Sequence, residues 1–230
     1  MAGKQVVLRT LAGGTDMKFA ADGRLLRGGD PCPWTLCSKI LVQNVNVRKD
    51  KLVLDGVRLY LSFELAKQAF QAWNSGRVVR IELSLAEAAS QSSARRALNA
   101  VFLTNSEPLT DIVPAYWSNF LKLGVRECKV PKGMNRPGSD SGIAPPKLTR
   151  RVEPAYREEA RQARLSGTVL FCAVVSTDGR LVDVSIGRPL GMGLDEEAYR
   201  AVTQWRFEPA HLNGTPVPVA AAVEVTFVLR

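Results

Sequence analysis

Few features of this chain have the residue types and spacing suited to catalysis or metal binding. They are one histidine, four cysteines and a glycine-rich stretch that precedes a run of acids. His211 lies beside Asn213-Gly214 with no nucleophile motif to serve. A catalytic triad would need a positioned partner, so a solvent-exposed loop histidine is the expectation. Gly187-x-x-x-Gly191-x-Gly193 could cradle a phosphate at a helix start, but Asp195, Glu196 and Glu197 follow at once and would repel it. Glu158 and Glu159 fall on the exposed side of a helix. No GxSxG, HExxH or GKS/GKT pattern occurs. The chain therefore reads as a non-enzyme with no cofactor.

The cysteines stand at 32, 37, 128 and 172, at intervals of five, 91 and 44 residues. Zinc sites need close Cys or His pairs, so no metal is expected. Cys32 and Cys37 flank Pro33-Trp34 closely enough to close a small loop, and Cys128 could compete for either. A disulfide would fit an oxidising compartment; free thiols in a cytosolic protein are the alternative. Cys172 sits inside a strand pattern and reads as a small buried hydrophobe.

Hydrophobic residues make up 46% of the 230 and charged residues 23%, ordinary values for a globular chain. No apolar run approaches the ~20 residues of a membrane helix, and Lys4, Arg9 and Lys18 interrupt any signal-like start. The expectation is a cytoplasmic protein, or an exported one whose leader is missing from the sequence. The net charge is +9: residues 1–130 carry 18 Lys+Arg against 11 Asp+Glu, a net of +7. These charges are scattered, with no aromatic-interleaved basic run, so no nucleic-acid partner is expected.

The elements that would position these residues change character along the chain. From Val6 to about Leu85 the pattern is β-rich, with hairpin dipeptide Asp22-Gly23 and strands at Ile40–Val47, Leu52–Leu54, Val57–Phe63 and Val78–Leu83. Arg58 and Tyr60 point away from the apolar face of their strand. Glu64–Trp73 places Leu65, Ala69, Phe70 and Trp73 on one helical face, predicting a short helix. Further helices are predicted from Ser92 or Ser93 to Phe102, and over Leu109–Leu121 with Pro114 as a kink. The fold class is α+β. An N-terminal β-rich domain with a few helices spans 1–128, a Pro/Gly-rich linker 129–148 and a smaller domain 149–230.

The last domain reads α-β-β-α-β. Pro154 opens a helix with Tyr156, Ala160 and Ala163 inward, and Gly167–Val175 is a covered strand. Asp178-Gly179 turns the chain, and Leu181–Ile186 returns with Val182, Val184 and Ile186 on one face. Leu194, Ala198, Ala201, Val202 and Trp205 form a helix stripe. In the closing strand Val219, Ala221, Val223, Val225, Phe227 and Leu229 share a face opposite Glu224 and Thr226.

The order of Pro154-x-Tyr156, Ala160, Gly167-Thr-Val, Asp178-Gly179, Gly193-Leu194-Asp195, Ala198, Ala201, Trp205-x-Phe207-x-Pro209-Ala210, Gly214-x-Pro216-Val217 and the closing Val-x-Val-x-Phe-x-Leu resembles the TonB C-terminal domain. Pro33-Trp34-Thr35 and Val113-Pro114-x-Tyr116-Trp117 resemble the β-rich region preceding such a domain in some bacterial envelope proteins. The resemblance implies two helices on a three-stranded antiparallel sheet, in a periplasmic non-enzyme. It also implies an energy-transducing role: the last strand, here Val219, Ala221, Val223, Val225 and Phe227, takes up an extended peptide from an outer-membrane transporter or another envelope protein. Pairing of that strand in a homodimer is the alternative. Arg157 replaces the family's usual proline. The membrane helix and long proline-rich spacer of a transducer are not in the sequence, so membrane association would need an N-terminal anchor that is missing from it.

Overall fold

The computed structural model describes residues 1–87, 89–130, 134–135, 137–138 and 141–229. It divides into two compact units: Met1–Ser62 with Phe70–Val113, and Phe63–Ala69 with Pro114–Arg230. The division falls at Val113, ahead of the boundary expected near residue 128. Parts of the expected 129–148 linker instead form strands of the second unit, while residues 131–133, 136 and 139–140 of it lie outside the described residues.

The N-terminal unit is built on strands β1 (Gln5–Val7), β2 (Asp16–Phe19), β3 (Leu25–Arg27), β4 (Lys39–Val47), β5 (Lys51–Glu64) and β6 (Ala69–Ser84), in the order β1-β4-β5-β6-β2-β3. Ala20 N–H bonds Arg24 C=O and Gly23 N–H bonds Ala20 C=O, closing the predicted Asp22-Gly23 hairpin as a three-residue loop. Beyond the short α1 (Trp34–Cys37), α2 (Gln91–Val101) is capped by Ser90, whose Oγ accepts from Ser93 N–H while Ser93 Oγ accepts from Ser90 N–H. Ala97, Val101 and Phe102 then join Leu8, Met17, Phe19, Ile40, Val42, Leu52, Leu54, Val79, Ile81 and Leu83 in one core.

The helix predicted over Glu64–Trp73 is absent. Leu65–Gln68 is a turn, with Gln68 at φ 49, and Ala69 onward is strand. Ten residues are too few for periodicity to separate the two states, and pairing with β5 decides it. Phe70 meets Trp34 edge-on at 5.0 Å, and the Trp73 indole N–H donates to Ser62 Oγ at 2.6 Å. Pro114 likewise divides the third predicted helix into 3-10 turns at Leu109–Asp111 and Ala115–Trp117, followed by α3 (Ser118–Leu123).

The second unit continues with β7 (Ile143–Ala144), β8 (Lys147–Arg150), α4 (Glu158–Gln162), β9 (Gly167–Val175), β10 (Leu181–Arg188), α5 (Leu194–Val202), β11 (Arg206–Glu208), β12 (Ala210–Leu212), β13 (Thr215–Val217) and β14 (Val219–Phe227). Its main sheet is antiparallel in the order β10-β9-β14. Ala160 of α4, Leu194, Ala198 and Val202 of α5, and Val169, Phe171, Val175, Ile186, Val219 and Val225 of the sheet are all fully buried. Asn213 (φ 51) and Gly214 (φ 81) form a two-residue turn between β12 and β13. His211 is therefore a half-buried strand residue opposite Pro216, not the exposed loop residue expected. The regular alternation expected of β10 also fails. A register shift between Val182 and Ser185, with Asp183 at φ 50, turns Val182 outward and Ser185 inward.

Candidate functional site

The last strand is an edge. β14 pairs with β9 without a register shift, from Val219 opposite Val175 to Phe227 opposite Gly167. Val219, Val223, Val225 and Phe227 are buried and Ala221 half-buried, so the residues predicted to mark the strand are its core-facing set. In an antiparallel ladder, alternate residues direct both N–H and C=O to one neighbour. Ala220 N–H bonds Asn135 C=O at 3.3 Å, away from β9, which fixes the parity. Ala220, Ala222, Glu224 and Thr226 therefore offer their backbone groups outward, and the core-facing five spend theirs on β9. The alternating pattern marks the strand by this core-facing set, because side-chain pattern carries no information on which neighbour a strand lacks.

The side chains on that outer set are small or polar. Thr226 Oγ1 lies 3.0 Å from Thr168 Oγ1, and Glu224 pairs with Arg188 at 3.5 Å. Among the described residues, Asn135 alone meets the outer edge of β14. Its C=O accepts from Ala220 N–H, and its Nδ2 donates to Pro218 C=O at 3.2 Å. Nothing in the composition of residues 129–148 singles it out.

The glycine-rich stretch before α5 holds an anion of its own. Leu190 and Gly191 N–H donate to the two carboxylate oxygens of Asp195, each at 2.7 Å, and Asp195 is fully buried. The donors that could have met a phosphate are thus satisfied internally. Glu196 is 7% exposed, with the Trp117 indole beside it. Burial first, then the Asp195 charge, pushes its carboxyl up to about 8, and Trp117 and Arg200 offset little of this. Burial raises Asp195 as well, against its backbone donors. Tyr116 stacks on Tyr199 at 3.8 Å beside this pair, and burial with the two acids raises its hydroxyl too.

The folded chain thus keeps a proton on Glu196 that the unfolded chain releases near 4.5. This contribution is full below that pH and is lost as pH rises through about 8. Glu196→Gln is expected to flatten the decline in stability between pH 6 and 9, read as urea midpoints at stepped pH; an unchanged decline would refute the assignment.

The four cysteines form two bridges: Cys32 with Cys37, Cα atoms 6.0 Å apart, and Cys128 with Cys172, 5.1 Å apart. Cys128 thus bonds neither Cys32 nor Cys37, the partners considered for it, and Cys172 is not a lone hydrophobe. Folding brings 128 onto β9 across 44 positions, which spacing alone does not reveal. Among the described residues, no group of three His, Cys, Asp or Glu side chains gathers as a metal-ligand set.

Residues 152–229 match the family described as Gram-negative bacterial TonB protein C-terminal. The chain is 29% identical over 87 residues to Protein TonB of Vibrio cholerae serotype O1 (strain ATCC 39315 / El Tor Inaba N16961). That match spans 37% of this chain and only 36% of the relative. The solution NMR structure of Pseudomonas aeruginosa TonB CTD is 29% identical, covers 43% of this chain and 96% of that one, and superposes with a TM-score of 0.32. The segment 152–229 is therefore a member of the TonB C-terminal domain family.

Proposed function

We propose that this protein is a non-enzymatic component of the bacterial cell envelope whose β14 takes up an extended segment of a partner by strand addition. The partner is an outer-membrane transporter of the class served by TonB proteins, and the compartment is the periplasm. One observation carries the reading: from Ala222 to Thr226 the outer backbone groups of β14 meet no partner among the described residues. An added strand would satisfy them, and side chains at alternate positions would set its register. Two disulfides suit an oxidising compartment. In the family's arrangement, α4 and α5 would form the helix pair that backs the sheet.

Parity supplies the test. Proline at 222 or 224 removes an outward N–H and leaves the β9 ladder whole, as proline on an edge strand does. Ala222→Pro and Glu224→Pro are expected to weaken binding of a transporter-derived strand peptide about tenfold or more while melting close to the parent protein. Val223→Pro removes a β9 bond and is expected to unfold the sheet. Light scattering during the titration measures mass. Tight dimerisation with no peptide uptake would replace transporter binding with self-pairing, and equal binding by parent and proline variants would sink strand addition altogether.

A further inference from the structure

Arg126, Cys128 and Asn135 between them contact all three strands of the β10-β9-β14 sheet. Arg126 N–H bonds Gly187 C=O at 3.1 Å and its Nη2 donates to Ser185 Oγ at 2.9 Å, both on β10. Cys128 is bonded to Cys172 of β9, a residue that stands opposite Ser185 on one side and Ala222 on the other. Cys172 shares its sheet face with Ala222, so Cys128 lies over the face away from the buried set of β14. Asn135 then reaches the outer edge of β14 itself, in a parallel bridge with Val219. Beyond it, Ile143 and Ala144 pair with Leu212 and His211 of β12.

We infer that Asn135 is an internal competitor for the N-terminal end of the β14 edge, held in place by the Cys128–Cys172 bridge. The inference rests on the strand-addition reading of that edge. It fixes where an added strand can lie: the open run is Ala222 to Thr226, and a longer strand must first displace Asn135. Two bonds would be weak alone. Seven positions from Cys128 reach about 25 Å at most, and β7 fixes the chain on the other side, so Asn135 stays at high local concentration beside Ala220. The bridge acts as a tether, and cutting it leaves Asn135 fixed from the β7 side only.

Amide hydrogen exchange on the full oxidised chain, followed residue by residue by NMR, tests this without a partner. In the parent protein Ala220 N–H is expected to exchange about tenfold more slowly than Ala222, Glu224 and Thr226 N–H, the effect of one net hydrogen bond. In Cys128→Ser/Cys172→Ser that difference should shrink several-fold, with Val223 and Val225 amides still protected as proof that the sheet is intact. If the double variant loses that protection, Asn135→Ala, which keeps the bridge and removes only the bond to Pro218, is the alternative and should also speed Ala220. Equal exchange at Ala220 and Ala222 in the parent protein would overturn the proposal, as would a bridge-free or Asn135→Ala protein with an intact sheet and unchanged Ala220. Protection of Ala222, Glu224 and Thr226 would instead count against the open edge, and so against strand addition. An Ala220 result as expected with no peptide uptake would leave the internal pairing standing and remove the transporter.

Discussion

Arg58→Met is expected to destabilise the N-terminal unit by about 3–5 kcal/mol, enough to remove most of the stability of a small domain. Arg58 is 1% exposed, and among the described residues no carboxylate pairs with it. Its guanidinium is held by backbone carbonyls: Nη1 donates to Cys37 at 2.6 Å, and Nη2 to Ala12 at 2.7 Å and Gly14 at 2.6 Å. Burial pulls its pKa down to about 10, which still leaves the group charged at neutral pH. Methionine would fill much of the volume, but it supplies no donor, so three inward carbonyls would lose their partner. Each such loss costs about 1–3 kcal/mol where water cannot reach. Lysine would rescue in part: its ammonium has three donors but cannot span three carbonyls with a planar fork. Urea denaturation of the oxidised protein would measure the series parent > lysine > methionine. A methionine variant as stable as the parent would mean that the carbonyls find water and that Arg58 is dispensable.

Gly179→Ala is expected to cost the second unit about 3 kcal/mol or more. Gly179 has φ +74, and a Cβ there would lie 1.8 Å from Phe207 C=O. The neighbouring strand cannot retreat, because Phe207 N–H bonds Gly179 C=O at 2.8 Å. Gly76 provides the control: it has a similar φ of +70, yet a Cβ would meet nothing within 4 Å. Gly76→Ala should cost only the backbone term, about 1 kcal/mol. Thermal melts of the two variants separate close approach from conformational strain, and equal shifts would show that the Phe207 contact is unimportant.

The two units differed in how much their sequence revealed. In the second unit the Asp178-Gly179 turn, α5 and β14 were readable because their signals are local. Asp178-Gly179, the acidic first turn of α5 and the period-two pattern of β14 each depend on residues a few positions apart. The misread parts depend on distant ones. Arg58 fits an outward position by alternation, yet carbonyls from Ala12, Gly14 and Cys37 close over it. Glu64–Trp73 has helical spacing until β5 is available as a pairing partner. Cys172 has a strand's surroundings in sequence and a disulfide partner only after folding. The candidate site divides the same way. The strand itself was legible, whereas the outward parity of Ala220, Ala222, Glu224 and Thr226 and the presence of Asn135 emerge only from the sheet order.

The unbroken register between β14 and β9 also has a mechanical consequence. Nine consecutive residues of β14 face nine of β9, from Val219–Val175 to Phe227–Gly167. A pull along the strand axis, applied through a segment gripping the outer edge, loads those bonds together in shear. A pull across the sheet would open them one after another, at far lower force. The β9–β10 ladder has two register shifts and lies on the far side of β9 from such a load, so the regular ladder takes the strain. The strand proposed to accept a partner is thus also the one whose inner attachment best resists being drawn lengthwise.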